Sequence, residues 1–295
     1  TPLLYRMLHD GCELYIKPEN LQAIGAFKIR GAFNMMRSLP ENCPGVVAHS
    51  SGNHAQAVAY AARELGLHAV VVMPETAPRI KVEGARSYGA EVLFEGTTSI
   101  ARRGRAEAEA EVRGLTVVPP FDHSEIIAGQ GTVGLEILED HSALKTIYVP
   151  VGGGGLISGI AAAVKQMQRD VRIVGVEPVG AAAMAASIAA GTPVTLDSVA
   201  SVADGLLPVR PGDLTFAHVA ALVDDIVTVD DDAIVQAVRW LAARAKLVVE
   251  PSGAVTVAAT LFASDVDRAV DGNTVAVLSG GNVALESLAR MLGGR

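Results

Sequence analysis

Four short segments of this 295-residue chain carry side chains or glycines that could do chemistry. The first is Gly25-Ala26-Phe27-Lys28-Ile29-Arg30-Gly31-Ala32, which places one lysine between two glycines. The others are Ser50-Ser51-Gly52-Asn53-His54, the run from Gly152 to Leu156, and Ser279-Gly280-Gly281-Asn282. Together they supply an amine, a loop of hydroxyl and amide groups, a glycine-rich turn and a late serine. An aldehyde cofactor that carries a phosphate would need these parts.

Lys28 is the candidate nucleophile. Its neighbours Phe27, Ile29 and Phe33 are apolar, which favours a partly buried amine. Burial lowers the pKa of a lysine, and the neutral amine can then form a Schiff base with an aldehyde. The alternative is an ordinary lysine on the solvated face of a helix.

The run Gly152-Gly153-Gly154-Gly155 lies between an aliphatic strand pattern and a helical pattern. Consecutive glycines let backbone N–H groups converge on an anion at a helix N-terminus. The glycine spacing of dinucleotide-binding proteins is not met, and no phosphate-binding loop ending in Gly-Lys-Ser/Thr is present, so the pattern favours one phosphate over a nucleotide. A close-packed turn without a ligand is the alternative.

Two polar turns also follow predicted strands. The turn from Ser50 to His54 offers hydroxyls, an amide and backbone N–H groups that suit a ligand's carboxylate and ring hydroxyl. Helix capping by Ser51 or Asn53 is the alternative. Ser279 begins a similar turn after a late strand, and ligands of open α/β sheets bind at the carboxyl ends of strands. His54 is typical of a buried structural histidine and is given no role as a base.

The composition favours a parallel sheet covered by helices. Hydrophobic residues make up 50% of the chain but aromatic residues only 4%, so the core must be mainly aliphatic. The net charge of -8 argues against nucleic acid, since phosphate binding needs a basic face. Proline and glycine interrupt both long apolar stretches, 146–164 and 178–196, which argues against a membrane span. The composition is typical of a cytoplasmic enzyme.

Aliphatic runs alternate with helical patterns along the chain, as in βαβ proteins. The predicted strands are residues 46–49, 69–73, 91–94, 146–151, 172–177 and 274–278. The predicted helices are residues 56–65, 79–88, 98–113, 156–168, 230–246 and 283–291. Asp230 precedes one helical pattern and is predicted to cap it. Residues 45–122 contain their own βαβ succession, closed by Pro119-Pro120, and are predicted to form a smaller lobe inserted in a larger one.

The chain resembles the fold-type II pyridoxal-phosphate enzymes, specifically the family of serine/threonine dehydratases (ammonia-lyases) and serine racemases. The resemblance covers essentially the whole chain. Besides the four segments above, it is carried by Lys17-Pro18-Glu19-Asn20-Leu21-Gln22, Ala128-Gly129-Gln130-Gly131-Thr132, Ala203-Asp204-Gly205 and Glu250-Pro251-Ser252-Gly253. It implies an α/β fold of two open, twisted, mostly parallel sheets with flanking helices, like the tryptophan synthase β chain. The active site would lie between a large domain (1–44 and 123–295) and a small inserted domain (45–122), with no C-terminal regulatory domain.

The resemblance also implies roles for individual residues. Lys28 would bond covalently to pyridoxal 5'-phosphate, and Phe27 would pack against the cofactor ring. Ser51 would act as the catalytic group on the opposite face of the ring. The further cofactor contacts implied are Asn53 at the 3-hydroxyl, the backbone of Gly152, Gly153, Gly154, Gly155 and Leu156 at the phosphate, Ser279 at the pyridine nitrogen, and Gly205, Glu250 and Asn282. The substrate contacts implied are Ser50, Ser51, Gly52, Asn53, His54 and Gln130.

The chain departs from the family's pattern at two places. Ala26 stands where many members have serine. At the family's divalent cation site, Glu177 matches the first acid and Ala181 the backbone carbonyl, but Ala183 replaces the second acid. Because hard cations need several oxygen ligands, the resemblance implies at most a weak divalent site or a monovalent cation.

The implied activity is the β-elimination of a β-hydroxy amino acid, L-threonine or L-serine, to a 2-oxo acid and ammonia. Serine racemisation and the dehydration of 3-hydroxyaspartate or a phenylserine are the alternatives. A β-replacement synthase shares the fold, but the segments around Gln130 and Asp204 match the dehydratases better. A nucleotide-responsive binding module is the non-enzyme alternative, and the absent nucleotide spacings argue against it. The expected partners are the amino-acid substrate and further copies of the chain, in a dimer or tetramer, without nucleic acid or membrane.

Overall fold

The chain folds into two sheets with helices on their faces. The computed structural model describes residues 1–7, 13–50, 52–77, 79–97, 99–262 and 272–293. The strands are β1 (Leu4–Met7), β2 (Glu13–Pro18), β3 (Val46–His49), β4 (Ala69–Met73), β5 (Glu91–Phe94), β6 (Thr116–Val117), β7 (Thr146–Pro150), β8 (Arg172–Pro178), β9 (Asp225–Val229) and β10 (Thr274–Leu278). The helices are α1 (Lys28–Arg37), α2 (Asn53–Leu65), α3 (Arg79–Ser87), α4 (Ser99–Arg113), α5 (Ser124–Asp140), α6 (Gly155–Met167), α7 (Ala183–Ala190), α8 (Asp213–Leu222), α9 (Asp231–Trp240), α10 (Pro251–Val257) and α11 (Leu285–Gly293).

The larger sheet has six strands in the order β1-β2-β10-β7-β8-β9. All neighbouring strands are parallel except β1, which runs antiparallel to β2. Every residue of β7 and β10 is buried. Strands covered on both faces read as continuous aliphatic runs, which explains why the sequence predicts these two so clearly.

The smaller sheet has four parallel strands in the order β5-β4-β3-β6. All four lie between residues 46 and 117, inside the segment predicted to form an inserted lobe. Ala48 and Val71 on one face share a core with α2, while Val47 and Val70 on the other face share a core with α4. Met35 and Met36 of α1 belong to the first of these cores, so α1 packs with the smaller sheet.

α5 lies between α1 and α6, and glycines bring the three helices into close contact. A Cβ atom added to Gly129 would lie 2.6 Å from the carbonyl oxygen of Arg30 and 2.6 Å from the Cα atom of Gly31. A Cβ atom added to Gly159 of α6 would lie 2.3 Å from the carbonyl oxygen of Ile127. This packing fixes the separation between the first turn of α1 and the first turn of α6, which carry two of the candidate segments.

The structure confirms all six predicted strands, with unchanged bounds for β3, β4, β5 and β10. The six predicted helices are also present. Their ends lie within three residues of the predicted ends, except at the C-terminal end of the pattern at 230–246. α2 begins earlier at Asn53, and the pattern at 230–246 becomes α9 followed by a wider π-type turn over Leu241–Ala245. Thr98, the predicted start of α4, lies outside the described residues. In the described ranges, no helix is long and apolar enough to cross a bilayer.

Candidate active site

The segment around Lys28 is held against the turn that follows β10. The N–H of Phe27 donates to the carbonyl oxygen of Ser279 at 3.0 Å, and Ala26 forms an isolated antiparallel bridge with Gly280. The N–H of Gly281 donates to the carbonyl oxygen of Gly25 at 2.9 Å. Gly25 has a φ of 72°, a left-handed conformation that favours glycine. Two of the predicted site segments therefore meet through their backbones.

Lys28 is the first residue of α1 and is partly buried. Its Nζ atom donates to the carbonyl oxygen of Pro120 at 2.5 Å and lies 5.1 Å from the centre of the Phe27 ring. Burial lowers the pKa of Lys28 to about 8. With that pKa, about one tenth of the amine is neutral at pH 7, whereas an ordinary lysine is almost wholly protonated. The structure therefore provides a usable nucleophile and base at this position.

The glycine turn lies between β7 and α6 and is shaped by its neighbours. Gly154 has a φ of 93° and precedes α6, and no side chain of the described residues caps that helix. The carbonyl oxygen of Gly153 accepts from the Oγ1 atom of Thr215 at 2.6 Å. Because the first N–H groups of a helix lack intrahelical partners, this turn can bind an anion through its backbone.

The glycines of this turn also have a steric reason. A Cβ atom added to Gly153 would lie 2.3 Å from the ring of Phe121, and one added to Gly155 would lie 2.9 Å from the Cβ atom of Phe121. Phe121 immediately follows Pro120, whose carbonyl oxygen accepts from Lys28. The glycine turn and Lys28 are therefore joined by one short piece of chain.

Asn53 lies at the centre of a hydrogen-bonded chain of side chains. Its Nδ2 atom donates to Oε1 of Glu250 at 2.7 Å. Its Oδ1 atom accepts from Nδ2 of Asn282 at 2.9 Å, and Nδ2 of Asn282 also donates to the carbonyl oxygen of Ile24 at 2.8 Å. The structure thus brings Asn53, Glu250 and Asn282 together, as predicted, from three distant parts of the sequence.

Glu250 is buried beside this chain. Burial raises the pKa of Glu250 to about 7; the charge of Asp204 raises it further, whereas Lys81, Asn53 and the backbone of Asn282 oppose the shift. Lys81 of α3 pairs with Asp204 at 2.6 Å, and both of these charges act on Glu250. Near neutral pH, Glu250 can therefore be present in its uncharged form.

Ser279 and Gly205 meet the same helix, α10. Ser279 is 4% exposed, and its hydroxyl donates to the carbonyl oxygen of Ser252 at 3.4 Å. The hydroxyl of Ser252 accepts from the N–H of Gly205 at 2.8 Å. Ser279 is therefore a neutral hydroxyl held in place, with no carboxylate among its contacts in the described part of the chain.

His54 is a structural residue by its surroundings. It is 3% exposed, and its Nε2 atom bonds to the carbonyl oxygen of Val118 at 2.8 Å. Burial, with the charge of Lys28 acting in the same direction, lowers the pKa of His54 to about 3. The ring therefore stays neutral near neutral pH. Beside it, the hydroxyl of Ser50 accepts from the N–H of Gly52 at 3.1 Å. Ser51 lies outside the described residues.

Two predicted site residues, Gln130 and Glu177, are not part of the hydrogen bonds described above. Gln130 is 1% exposed in α5 and packs against Gly31, and its Oε1 atom has no hydrogen-bond partner in the described ranges. Both carboxylate oxygens of Glu177 accept backbone N–H groups at the start of α7, from Met184 and Ala185 at 2.8 Å each. Burial raises the pKa of Glu177 to about 7. Glu177 thus caps a helix, and the described residues contain no group of three acidic, histidine or cysteine side chains that could hold a metal.

Sequence reasoning missed three residues that shape the site. Thr215 holds the carbonyl oxygen of Gly153, Phe121 packs on the glycine turn, and Pro120 accepts from Lys28. The carboxylate of Asp122 accepts the first N–H groups of α8, including that of Thr215 at 3.1 Å, and so fixes Thr215. The only sequence signal is the segment Pro119-Pro120-Phe121-Asp122, which reads as a lobe boundary.

The fold and the site define a class of enzyme that holds an aldehyde cofactor by an amine and its phosphate by backbone. Residues 1–280 match the family of pyridoxal-phosphate dependent enzymes, and the chain belongs to it. The chain is 41% identical over 281 residues to the biosynthetic L-threonine dehydratase of Pasteurella multocida, covering 94% of this chain and 55% of that protein. It is 44% identical over 285 residues to an L-threonine ammonia-lyase of Thermotoga maritima, covering 96% of this chain and 70% of that protein.

Among solved structures, maize serine racemase superposes with a TM-score of 0.92 and 41% identity, covering 99% of this chain and 91% of that one. The expected fold, two mostly parallel sheets with flanking helices, is confirmed. The chain spans only about half the length of some curated relatives that it matches, 55% of one and 48% of another.

Pyridoxal phosphate is the cofactor of this family, and the residues present fit it. The buried amine of Lys28 suits the aldehyde, and the glycine turn before the uncapped helix α6 suits the phosphate. The neutral hydroxyl of Ser279 suits an unprotonated ring nitrogen, since a carboxylate there would favour the protonated form.

Proposed function

We propose that this chain catalyses the β-elimination of a β-hydroxy amino acid, most of all L-threonine or L-serine, to a 2-oxo acid and ammonia. The observation that carries the proposal is the buried amine of Lys28, with a pKa lowered to about 8, placed beside the backbone that holds the glycine turn. The similarity to an L-threonine dehydratase and an L-threonine ammonia-lyase over nearly the whole chain supports the substrate class.

The chemistry that the chain itself supplies is acid–base chemistry at one position. Pyridoxal phosphate, when bound, accepts the negative charge that develops at the substrate's α-carbon. Lys28 in its neutral form removes the α-proton and becomes the ammonium, and the β-hydroxyl takes up a proton and leaves as water. Overall, the α-proton and the β-hydroxyl are lost together as water. The unsaturated amino acid that is released reacts with water to give the 2-oxo acid and ammonia.

The other residues bind and orient. The backbone from Gly152 to Leu156 binds the phosphate, and Phe27 packs on the ring. Asn53, held by Glu250 and Asn282, bonds to the ring hydroxyl, while Ser279 faces the ring nitrogen as a neutral partner. The N–H groups of the turn from Ser50 to His54 receive the substrate carboxylate. Gln130 and Gly205 stay predicted contacts, to the substrate and the cofactor respectively.

Lys28→Ala tests the central role. The variant is expected to lose keto-acid production from L-threonine and L-serine, because no other described amine adjoins Phe27 and Pro120. Reduction of wild-type holoenzyme with borohydride, followed by peptide mapping, should place the pyridoxyl label on Lys28. Lys165→Ala, which removes a lysine paired with Asp224, is the matched control and should keep both properties. A label on another lysine would contradict the assignment.

Serine racemisation is the second candidate, favoured by the TM-score of 0.92 with maize serine racemase. It needs a proton donor on the face opposite Lys28, and we propose Ser51 for that position. Following D-serine and pyruvate from L-serine, in wild type and Ser51→Ala, separates the two reactions. Elimination predominates if pyruvate greatly exceeds D-serine in wild type, whereas D-serine that disappears in the variant would favour the racemase.

Domain division, assembly and location are also proposals. Residues 45–122 would form a small domain that moves against the large domain, 1–44 and 123–295, over the Lys81–Asp204 ion pair. The enzyme would assemble as a dimer or tetramer in the cytoplasm. A divalent cation would have at most a weak effect, since Glu177 already accepts two N–H groups. A threonine–serine panel with and without added Mg²⁺ and K⁺ tests the cation requirement.

A further inference from the structure

Arg30, two residues after Lys28, uses its whole guanidinium group in hydrogen bonds. Nε and Nη2 donate to the two carboxylate oxygens of Glu19, at 2.7 and 2.8 Å. Nη1 and Nη2 donate to the two oxygens of Glu136 in α5, at 2.6 and 2.8 Å. Nη1 also donates to the hydroxyl of Thr132 at 2.9 Å. The planar fork of arginine therefore holds two carboxylates at once, a geometry that lysine cannot reproduce.

This cluster is buried and its charges balance. The side chain of Arg30 is 9% exposed and that of Glu19 is fully buried. Lys17, also fully buried, donates to Glu136 at 2.8 Å and lies 3.8 Å from Asp140, while the amino group of Thr1 donates to Glu136 at 3.1 Å. Three cations therefore face three carboxylates. Burial alone would raise the pKa of Glu136, but the hydrogen bonds from Arg30 and Lys17 outweigh it and lower the pKa to about 2. Glu136 therefore remains charged and available to Arg30 through the neutral pH range.

The first turn of α1 lacks a local anchor. Phe27 stands at the N-cap position, and no described side chain caps the helix. A helix start without a cap depends on tertiary contacts for its position. Besides the backbone contacts of residues 25–27 with the turn after β10, those contacts include the Arg30 fork on one side and Gly129 of α5 on the other. A Cβ atom added to Gly129 would lie 2.6 Å from the carbonyl oxygen of Arg30.

We propose that Arg30 is a positioning residue for Lys28: its fork to Glu19 and Glu136 fixes the first turn of α1 and hence the line along which the Lys28 amine reaches the cofactor. The proposal deepens the proposed function and rests on it for the role of Lys28. Residues two apart on a helix point to different sides, so Arg30 acts through the backbone of α1 without touching the reacting atoms. Burial accounts for the lowered pKa of Lys28.

The experiment compares Arg30→Lys with Arg37→Lys in the holoenzyme. Arg37 is exposed in the last turn of the same helix and serves as the matched control. Three quantities are measured: the visible circular dichroism per mole of bound pyridoxal phosphate, kcat and KM for L-threonine, and the melting temperature. Arg30→Lys is expected to change the dichroism and to lower kcat about 10- to 100-fold with little change in KM, as for a reacting group displaced by up to 1 Å. Arg37→Lys is expected to match wild type in all three.

A fall in melting temperature with unchanged dichroism and kcat would overturn the proposal, since Arg30 would then only stabilise the fold. If Arg30→Lys does not fold, Glu136→Gln gives a milder form of the same comparison, because it keeps an acceptor oxygen and removes one charge. In that variant too, unchanged dichroism and kcat would overturn the proposal. The dichroism depends on no choice of substrate. A wild-type protein that produces no keto acid therefore contradicts the proposed function, while the dichroism comparison still decides the role of Arg30.

Discussion

Gly153→Ala tests whether the glycine turn is shaped to bind the cofactor phosphate. An added Cβ atom would lie 2.3, 2.4 and 2.4 Å from three ring atoms of Phe121. Carbon atoms in contact prefer about 3.5 to 4.0 Å, so the ring or the turn must move by roughly 1 Å or more. Phe121 cannot move freely, because its backbone adjoins Pro120, which accepts from Lys28, and packs against Gly155.

Overpacking of this kind typically costs about 1 to 3 kcal/mol. If the turn shifts to relieve the contact, its N–H groups lose their convergence on the phosphate, and the strain appears as weaker cofactor binding. We therefore expect the dissociation constant of pyridoxal phosphate to rise about 5- to 150-fold. If Phe121 shifts instead, the Lys28–Pro120 contact is disturbed and kcat falls. Equilibrium dialysis and steady-state kinetics separate the two outcomes.

Two variants accompany the measurement. Gly104→Ala in α4 adds a methyl group where nothing lies within 4 Å, so it should leave cofactor binding unchanged and stabilise the helix by up to about 1 kcal/mol. Adding Phe121→Leu to Gly153→Ala makes room for the methyl group and should recover part of the lost affinity. Wild-type affinity together with wild-type kcat in Gly153→Ala, or no recovery in the double variant, would refute the steric reasoning.

Three other substitutions probe the site's supports. Thr215→Val removes the 2.6 Å hydrogen bond to the carbonyl oxygen of Gly153. It should lower the free energy of unfolding by about 1 to 3 kcal/mol and weaken cofactor binding. Unchanged unfolding in urea would contradict this prediction. Glu177→Gln places an amide donor against the N–H groups of α7 and should lower the free energy of unfolding by a similar amount. A melting temperature equal to that of wild type would contradict this prediction. Glu250 has a pKa raised from 4.5 to about 7, so its folded state binds the extra proton. The contribution of this proton to the free energy of unfolding is up to about 3 kcal/mol. It is complete below about pH 4.5 and is lost as the pH rises through about 7. Urea unfolding from pH 5 to 8 should show a steeper loss of stability in wild type than in Glu250→Gln, which keeps the contribution of Glu177 over the same pH range.

The sequence predicted the buried parallel strands well because burial on both faces leaves an uninterrupted aliphatic run. It missed elements whose reason for forming lies elsewhere in the fold. α5 contains three interior glycines, which locally disfavour a helix. Two of them, Gly129 and Gly131, allow the close contacts with α1 and α6. α10 carries Val255, Thr256 and Val257, a strand-like run that is wholly buried as a helix. In both, tertiary packing overrides local preference.

Predictability of the site divides in a similar way. Lys28, the glycine turn and the polar turns are readable because residue type and strand-end position coincide. Asp230 caps α9 as predicted, accepting from the N–H of Ala233 at 2.7 Å, since capping is a local interaction. Thr215 and Pro120 could not be found, because their hydrogen bonds join residues far apart in the sequence. Thr215 donates to the carbonyl oxygen of Gly153, and the carbonyl oxygen of Pro120 accepts from Lys28. The Asn53–Glu250–Asn282 chain was approached only through the family resemblance, which names the residues without giving their hydrogen bonds.

The lowered pKa of Lys28 places an electrostatic requirement on the residues of the site. A lysine keeps a lowered pKa only if no carboxylate stands close enough to stabilise its charge. Three acids of the site have other partners or are uncharged: Asp122 accepts the N–H groups of α8, Asp204 pairs with Lys81, and burial leaves Glu250 largely protonated below about pH 7. Arg30 likewise takes up both carboxylates on the far side of α1. Burial lowers the pKa of Lys28, and the fold gives these acids other partners. A substitution that places one of them against Lys28 should raise the pKa of Lys28 and move the activity profile to higher pH.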